Sequence, residues 1–582
     1  VATVNGARAL KFPAGGASVD AEPSIRRTKP AASPAEATCT RTDRPLLKGL
    51  IVPPPRAMAR IEAKAKRIVE KLSLAEVAAA LSQHSAHAAT GPSNPESNHD
   101  AKALIDEGAA TFLNVNPAAS NELQAHAIAT GRGPLIMAID AIHGDFPTPA
   151  AQASSWDPSL VRRVNAMLGQ LTKALGVQWT FAPMGDINGP SMWGRIIEGY
   201  GESKIVGRAM MRAAVQGFQE DAGIAATDKH PAGYGRAGGK EYDNARMSFS
   251  DVEDEVLPVH KAAVDAGVKS VMPAFSDFAD VPCTASRELL QNIFRDRWKF
   301  KGVFVSDWGA IRELINHRVA GDLLEAGLLA LHAGIDVDME SNAYREIAKR
   351  LKEAETDPKA KVEVERKLRW AAEQALMNVR PLEEEEAEAI VAKRGYRDLA
   401  LEVEGKLRSA AERVYRMKME IFGESFERYE PMRPENAEAI VKSGEYRDLA
   451  LEAAAKSIVL MKNERNVLPL KPGMKKIGLV GPLAASRWDN HGAWAGLGSA
   501  ERAVSIQEAF EARSKKTPGF EHLEVAFEPG CAVNVFEDWM ISACRDFERS
   551  IGKEEGALFR GCGAPVLLRD TLSGVAGVTP DD

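Results

Sequence analysis

The sequence predicts an α/β chain in two parts, a (β/α)8-type (TIM-like) barrel followed by a shortened α/β sandwich, and three observations carry that prediction. Short runs that are apolar on both faces alternate with amphipathic helical patterns, the signature of a parallel sheet covered on both sides. The alternation continues over roughly 250 residues, the usual length of an eight-fold barrel. Most runs end in a polar cluster, as strand ends do where a parallel fold builds its active face. An open doubly wound sheet is the alternative with the same local signals.

Residues 1–55 are rich in Ala, Pro, Ser and Arg without periodicity and read as a low-complexity flexible leader. They lack the continuous apolar core of a secretory signal. The barrel is expected over residues 56–380. It opens on a helix over Ala59 to Leu72, spaced by Ile61, Ala65, Ile68 and Leu72, and on a capping box, Ser73-Leu-Ala-Glu76, before a second helix over Val77 to Leu81. Strand-like runs follow at Thr111–Val115, Pro134–Ile139, Val177–Ala182, Val268–Met272, Gly302–Ser306 and Gly334–Asp338. Helical patterns at Pro158–Leu175, Gly207–Phe218, Val252–Ala266 and Ala320–Leu331 lie between them. The polar clusters are Asp140-Ala-Ile-His143, Asp186-Ile-Asn188, Asp228-Lys-His230 and Ser306-Asp-Trp308.

Residues 381–455 read as a charged helical connector with a local duplication. Ala387–Val391 and Tyr396–Glu402 recur as Ala437–Val441 and Tyr446–Glu452, and two copies are too few for a solenoid. Residues 456–582 read as an incomplete sandwich, with a helix, the basic-flanked strand Lys475–Pro482 and about 100 residues beyond it.

A net charge of -7 with both signs interleaved excludes a nucleic-acid footprint, and the absence of an eighteen-residue apolar run excludes a spanning helix. The five cysteines are scattered without a C-x-x-C pair, so neither a disulfide framework nor a zinc site is indicated.

Asp228-Lys-His-Pro-Ala-Gly-Tyr-Gly-Arg-Ala-Gly-Gly-Lys-Glu-Tyr-Asp243 resembles the Lys-His loop of glycoside hydrolase family 3, and Gly302-Val-Phe-Val-Ser-Asp-Trp-Gly-Ala310 resembles that family's nucleophile strand. Pro134–Gly144, Trp179–Met184 and Trp193–Glu202 fit in the same order, and Ser457–Asn463 with Leu468-Pro-Leu470 resemble the entry to its second domain. The resemblance spans roughly Ile61 to Asn534 and is closest to the bacterial periplasmic β-glucosidase branch. It implies retaining hydrolysis of β-linked glucosides, with xylosides as a side activity, through a covalent glycosyl-enzyme on Asp307. It further implies that Asp140, Arg195, Lys229 and His230 hold the hydroxyls of one sugar ring and that Trp308 floors the site. Tyr242 and Trp494 are weaker wall candidates. The partner is an oligosaccharide or glucoside, no cofactor or metal is needed, and a periplasmic or secreted location is implied.

The residue types suit that chemistry. A carboxylate stabilises an oxocarbenium-like transition state and then bonds to the anomeric carbon. Nearby Arg195 and Lys229 would keep it ionised and aimed. Each residue also has a plain structural reading: Asp307 as a helix N-cap, Arg195 as an ion-pair partner of Glu198 or Glu202, Trp494 as core.

Retention also needs a carboxylic acid about 5 Å from the nucleophile. In the family it is a Glu in the second domain, and no such motif follows Asn534; Glu554 and Glu555 are the nearest candidates. Pro231 stands where the family has an aromatic. A catalytically impaired sugar-binding relic is therefore the alternative. A Schiff-base aldolase on Lys229 is disfavoured by the flanking charges, and an N-acetylglucosaminidase by the lack of a second His in the Lys-His loop.

Overall fold

The computed structural model describes residues 54–85, 101–115, 117–189, 191, 193–236, 244–377, 384–487, 489–492, 494–495 and 502–530. Within them the chain is mixed α/β with parallel sheets. In chain order the parallel strands are β1 (Ser82–Ser85), β2 (Thr111–Leu113), β3 (Ile136–Ile139), β4 (Trp179–Thr180), β5 (Thr227–Lys229), β6 (Ser270–Met272), β7 (Val303–Phe304) and β8 (Asp338–Met339). One sheet runs β8-β1-β2-β3-β4 and another β5-β6-β7, every pair parallel. A parallel bridge between Trp179 and Ala225 joins β4 to the segment entering β5, and one between Val305 and Val337 joins β7 to β8.

The strands are short and buried on both faces because helices connect them, as parallel pairing requires. The capping box at Ser73 forms: Glu76 N–H donates to Ser73 Oγ at 3.2 Å, and Ser73 N–H donates to a Glu76 carboxylate oxygen at 2.9 Å. Helix α1 (Pro55–Val69) precedes it and α2 (Leu74–Ala80) follows it. The helical pattern at Pro158 becomes α3 (Pro158–Ala174), started by Asp157, whose carboxylate accepts the N–H groups of Ser159 and Leu160. The pattern at Gly207 becomes α4 (Lys204–Gln216), which runs into a π-turn over Gly217–Ala222. The last expected helix is α5 (Leu323–Ala333).

The duplicated segment folds twice as a short helix followed by a longer one. Glu384–Val391 precedes α6 (Tyr396–Phe422), and Pro434–Val441 precedes α7 (Gly444–Ser457). The two copies bury overlapping sets of residues against different partners. Leu399 and Val403 of α6 join the main core, whereas their counterparts Leu449 and Ala453 of α7 pack with Leu160, Val164 and Leu171 of α3. Further on, β9 (Lys476–Val480) and β10 (Glu524–Glu528) pair in parallel. Among the described residues no helix is long and apolar enough to cross a membrane.

Candidate active site

Asp140 follows β3, Lys229 ends β5 with His230 next, and Asp307 lies just past β7, so these side chains arise at the C-terminal ends of parallel strands. Lys229 is only 2% exposed and donates from Nζ to Asp140 Oδ1 at 2.6 Å. The backbone holds this strand end in place, since the Lys229 carbonyl accepts the Gly185 N–H at 2.5 Å. The Lys229–His230 peptide is cis.

His230 is anchored twice by one carboxylate. Its backbone N–H donates to Asp186 Oδ2 at 3.0 Å, and Nδ1 meets the same oxygen at 2.8 Å. A carboxylate cannot donate, so Nδ1 carries the proton and Nε2 is left as the open face of the ring. Burial depresses the imidazole to about 3; Asp186 works against this, and Arg195 and Lys229 add to it. The ring is therefore neutral, and its Nε2 faces Asp307 Oδ2 at 3.3 Å. That approach is not a hydrogen bond: both atoms are buried and without one.

Asp307 is set by its own loop. Its Oδ1 accepts the Trp308 N–H at 2.7 Å, its carbonyl accepts the Ala310 N–H at 3.1 Å, and the Gly309 N–H reaches the Met339 carbonyl at 2.9 Å. Gly309 adopts φ +66, which glycine tolerates, as the chain turns into the helix Ala310–Asn316. The carboxyl is pushed up by burial and pulled back down by Arg195, Lys229 and the Trp308 N–H. The Trp308 side chain is half-buried and packs against the main core.

Arg195 makes a two-pronged pair with Glu198, at 2.7 Å from Nε and 2.9 Å from Nη2. Burial opposes its charge, yet Glu198 more than offsets this and keeps the guanidinium ionised. The structural reading of Arg195 as an ion-pair partner and its position near Asp307 are thus compatible. Tyr234 packs edge-on against His230 at 4.7 Å between ring centroids and against Trp193 at 5.5 Å. Trp494, from the C-terminal part of the chain, lies over the Arg195 guanidinium at 5.1 Å and the Lys229 ammonium at 5.5 Å. Tyr242, Glu554 and Glu555 lie outside the described residues.

The profile of the glycosyl hydrolase family 3 N-terminal domain matches residues 104–369, a span that holds Asp140, Arg195, Lys229, His230, Asp307 and Trp308. Residues 104–369 are thus a glycoside hydrolase family 3 N-terminal domain. It is similar to a periplasmic beta-glucosidase of Salmonella typhimurium, 30% identical over 431 residues, covering 72% of this chain and 50% of that protein. A xylan 1,4-beta-xylosidase of Xylanibacter ruminicola is 28% identical over 435 residues, covering 67% of this chain and 43% of that one. A beta-glucosidase from Listeria innocua, solved in complex with isofagomine, superposes with a TM-score of 0.66 at 27% identity, over 84% of this chain and 62% of that one. The chain spans about half the length of these curated family 3 relatives.

Asp186, Glu198 and Tyr234 contact His230 and Arg195, and reading the sequence assigns none of the three a catalytic role. Asp186 stood in one of the four polar clusters, which was its signal. Glu198 entered only as an alternative partner of Arg195, and Tyr234 carried no signal beyond its place in the Lys-His loop.

Proposed function

We propose that the protein hydrolyses β-linked glucosides, with β-xylosides as a side activity, by a retaining mechanism in which Asp307 is the nucleophile. One observation carries the reading: Asp307 offers a buried carboxylate oxygen with no hydrogen bond, beside His230 and in the field of Arg195 and Lys229. An N-cap needs only one carboxylate oxygen, so it leaves unexplained why the second oxygen of Asp307 is buried without a hydrogen bond. Similarity to a beta-glucosidase and a beta-xylosidase supports the substrate class, and the same beta-glucosidase relative supports a periplasmic or secreted location.

We read residues 56–380 as the (β/α)8-type barrel, with the two linking bridges at Trp179 and Val305 as its support. In the same reading residues 1–55 are a leader, 381–455 a helical connector and 456–582 an incomplete sandwich. The sugar enters at the strand ends. Asp140 and Lys229 hold neighbouring hydroxyls as a paired acceptor and donor, and His230, neutral with Nδ1 tied to Asp186, presents Nε2 as an acceptor towards the ring or its hydroxyls. Trp308 lies under the ring.

In the first half-reaction an Asp307 oxygen attacks the anomeric carbon while the bond to the leaving oxygen breaks and that oxygen takes a proton from solvent water, which serves in place of an assigned acid residue. In the second, water attacks the same carbon, releases its proton to solvent and frees the Asp307 carboxylate as the carbon–Asp307 bond breaks. Arg195 and Lys229 keep Asp307 ionised between turnovers. Trapping with a 2-deoxy-2-fluoro-β-glucoside followed by peptide mapping tests the proposal. The label is expected on Asp307, and a label on any other carboxylate overturns the assignment. Tight glucose binding with no trapping and no turnover would instead identify the sugar-binding relic.

A further inference from the structure

At the opposite end of the strands from the candidate active site, a cavity of about 420 Å³ opens between α6 and the segment His332–Ile335 that leads into β8. Arg287, Lys406 and Arg413 converge on it, with Gln291 and Ser409 beside them. Its acid, Glu402, pairs with Arg394 at 2.6 Å and lies 3.7 Å from Lys406 and 3.8 Å from His332, so a single carboxylate is shared among them. Arg413 shares the buried carboxylate of Asp336 with Arg295, each at 2.7 to 2.8 Å, so one negative charge serves two cations. Arg287 donates from Nη1 to the His332 carbonyl at 3.3 Å, but its Nε is buried without a partner. A second cavity of about 580 Å³ adjoins the first through Ser409 and Arg413 and adds Arg295 and Arg416 to its walls.

The cations here press on one another. Burial lowers Lys406, and Arg287 and Arg413 lower it further against the pull of Glu402. Burial likewise brings Arg295 down to about 10, with Arg413 and Arg416 adding to the effect while Asp336 resists. Glu402 and Asp336 offset this crowding only in part, since each serves more than one cation, and an oxyanion would relieve it further. Guanidinium forks match the paired oxygens of a tetrahedral oxyanion better than a lone ammonium does.

We propose that this cavity is a second, non-catalytic site that binds a small phosphate-bearing anion, either free phosphate or a phosphate ester. The geometry that assigns it is the convergence of Arg287, Lys406 and Arg413 on one cavity, together with the unpartnered Nε of Arg287.

The test is isothermal titration of the full chain with inorganic phosphate and with glucose 6-phosphate, against sodium chloride at equal ionic strength. Saturable binding of at least one phosphate compound is expected. Tighter binding of glucose 6-phosphate marks an ester site, and tighter or equal binding of phosphate marks the free ion. The exchanges Lys406→Met and Arg287→Gln should each weaken binding roughly tenfold or more, as loss of one charge-assisted contact does. Lys442→Met, at an exposed lysine on the surface of the helical segment, should leave binding unchanged. Phosphate line widths in 31P spectra of the unaltered protein give a readout that does not depend on any variant folding. No saturable binding beyond chloride, or undiminished binding in both folded variants, overturns the proposal.

Discussion

As the proposed nucleophile Asp307 acts in its ionised form, yet burial favours its protonated form and Arg195 and Lys229 pull it back only in part. The folded carboxyl stands above its ordinary value, so the acid limb of kcat/KM for an aryl glucoside should lie above that of a solvated aspartate. Removing a cation removes the downward pull. In Lys229→Met the limb should move to still higher pH, and a limb that stays put or moves down would show that Lys229 does not act on the reacting carboxylate. His230 contributes in another way. Its neutral form persists down to about pH 3 because burial outweighs the attraction of Asp186. Asp140, Lys229, His230 and Asp307 were legible as polar clusters at strand ends, whereas Arg195 and every assigned role came from the family resemblance. The role of Asp186 was not legible: 44 residues separate it from His230, and only the neighbouring strands bring the two together.

At the scale of elements, amphipathic helices announced themselves through spacing and caps, and α3 begins where Pro158 and Asp157 say it should. Strand β1 did not. Its sequence, Ser-Gln-His-Ser, carries no apolar signal, yet all four residues are buried because β8 and β2 pair on either side. The π-turns over Gly217–Ala222 and Val252–Val256 also leave no trace in a pattern built on 3.6 residues per turn. Helix α6 carries a charge where its sequence suggests a solvated face. Lys418 is fully buried, donates to the Arg132 carbonyl at 2.9 Å and sits near the rings of Tyr415 and Phe426 at 5.5 and 5.3 Å. Burial brings its ammonium down to about 7. Because the unfolded chain holds that proton more tightly, this lysine's cost to stability is full at neutral pH and below and fades as pH rises toward 10.5. Lys418→Met should therefore stabilise the fold by roughly 2–4 kcal/mol at pH 7, with the gain fading toward pH 10. Urea unfolding at the two pH values checks this, and a gain that does not vary with pH would contradict it.

The whole molecule is tied together at Asp145, on the turn beyond β3. It accepts from Tyr446 at 3.0 Å and Arg502 at 2.7 Å, and meets His491 at 3.2 Å, so one carboxylate joins the strand-end loops, α7 and the C-terminal unit. Burial alone would raise it, but these partners hold it at about 2. A carboxyl depressed in the fold contributes stability above its unfolded value, and loses it as pH falls from about 4 to about 2. Asp145→Asn should cost about 2 kcal/mol at pH 7 and almost nothing near pH 2, read as the difference in thermal midpoint at each pH. It should also speed proteolysis between α7 and β9. Equal midpoints at neutral pH would show that the three contacts carry no net energy.

Local sequence was enough for six of the eight strands from β1 to β8, for the existence of the amphipathic helices, for the starts set by caps at Ser73 and Asp157, and for the polar clusters at the strand ends. Each of these depends on neighbours within a few turns of chain. Tertiary structure alone decided that the two copies of the duplicated segment bury overlapping residues against different partners. It alone brought Trp494 over Lys229 and Arg195, 265 and 299 positions away in the chain. It alone crowded Arg287, Lys406 and Arg413 around one cavity. Burial and charge at a given atom are sums over everything packed near it, and local sequence does not contain that sum.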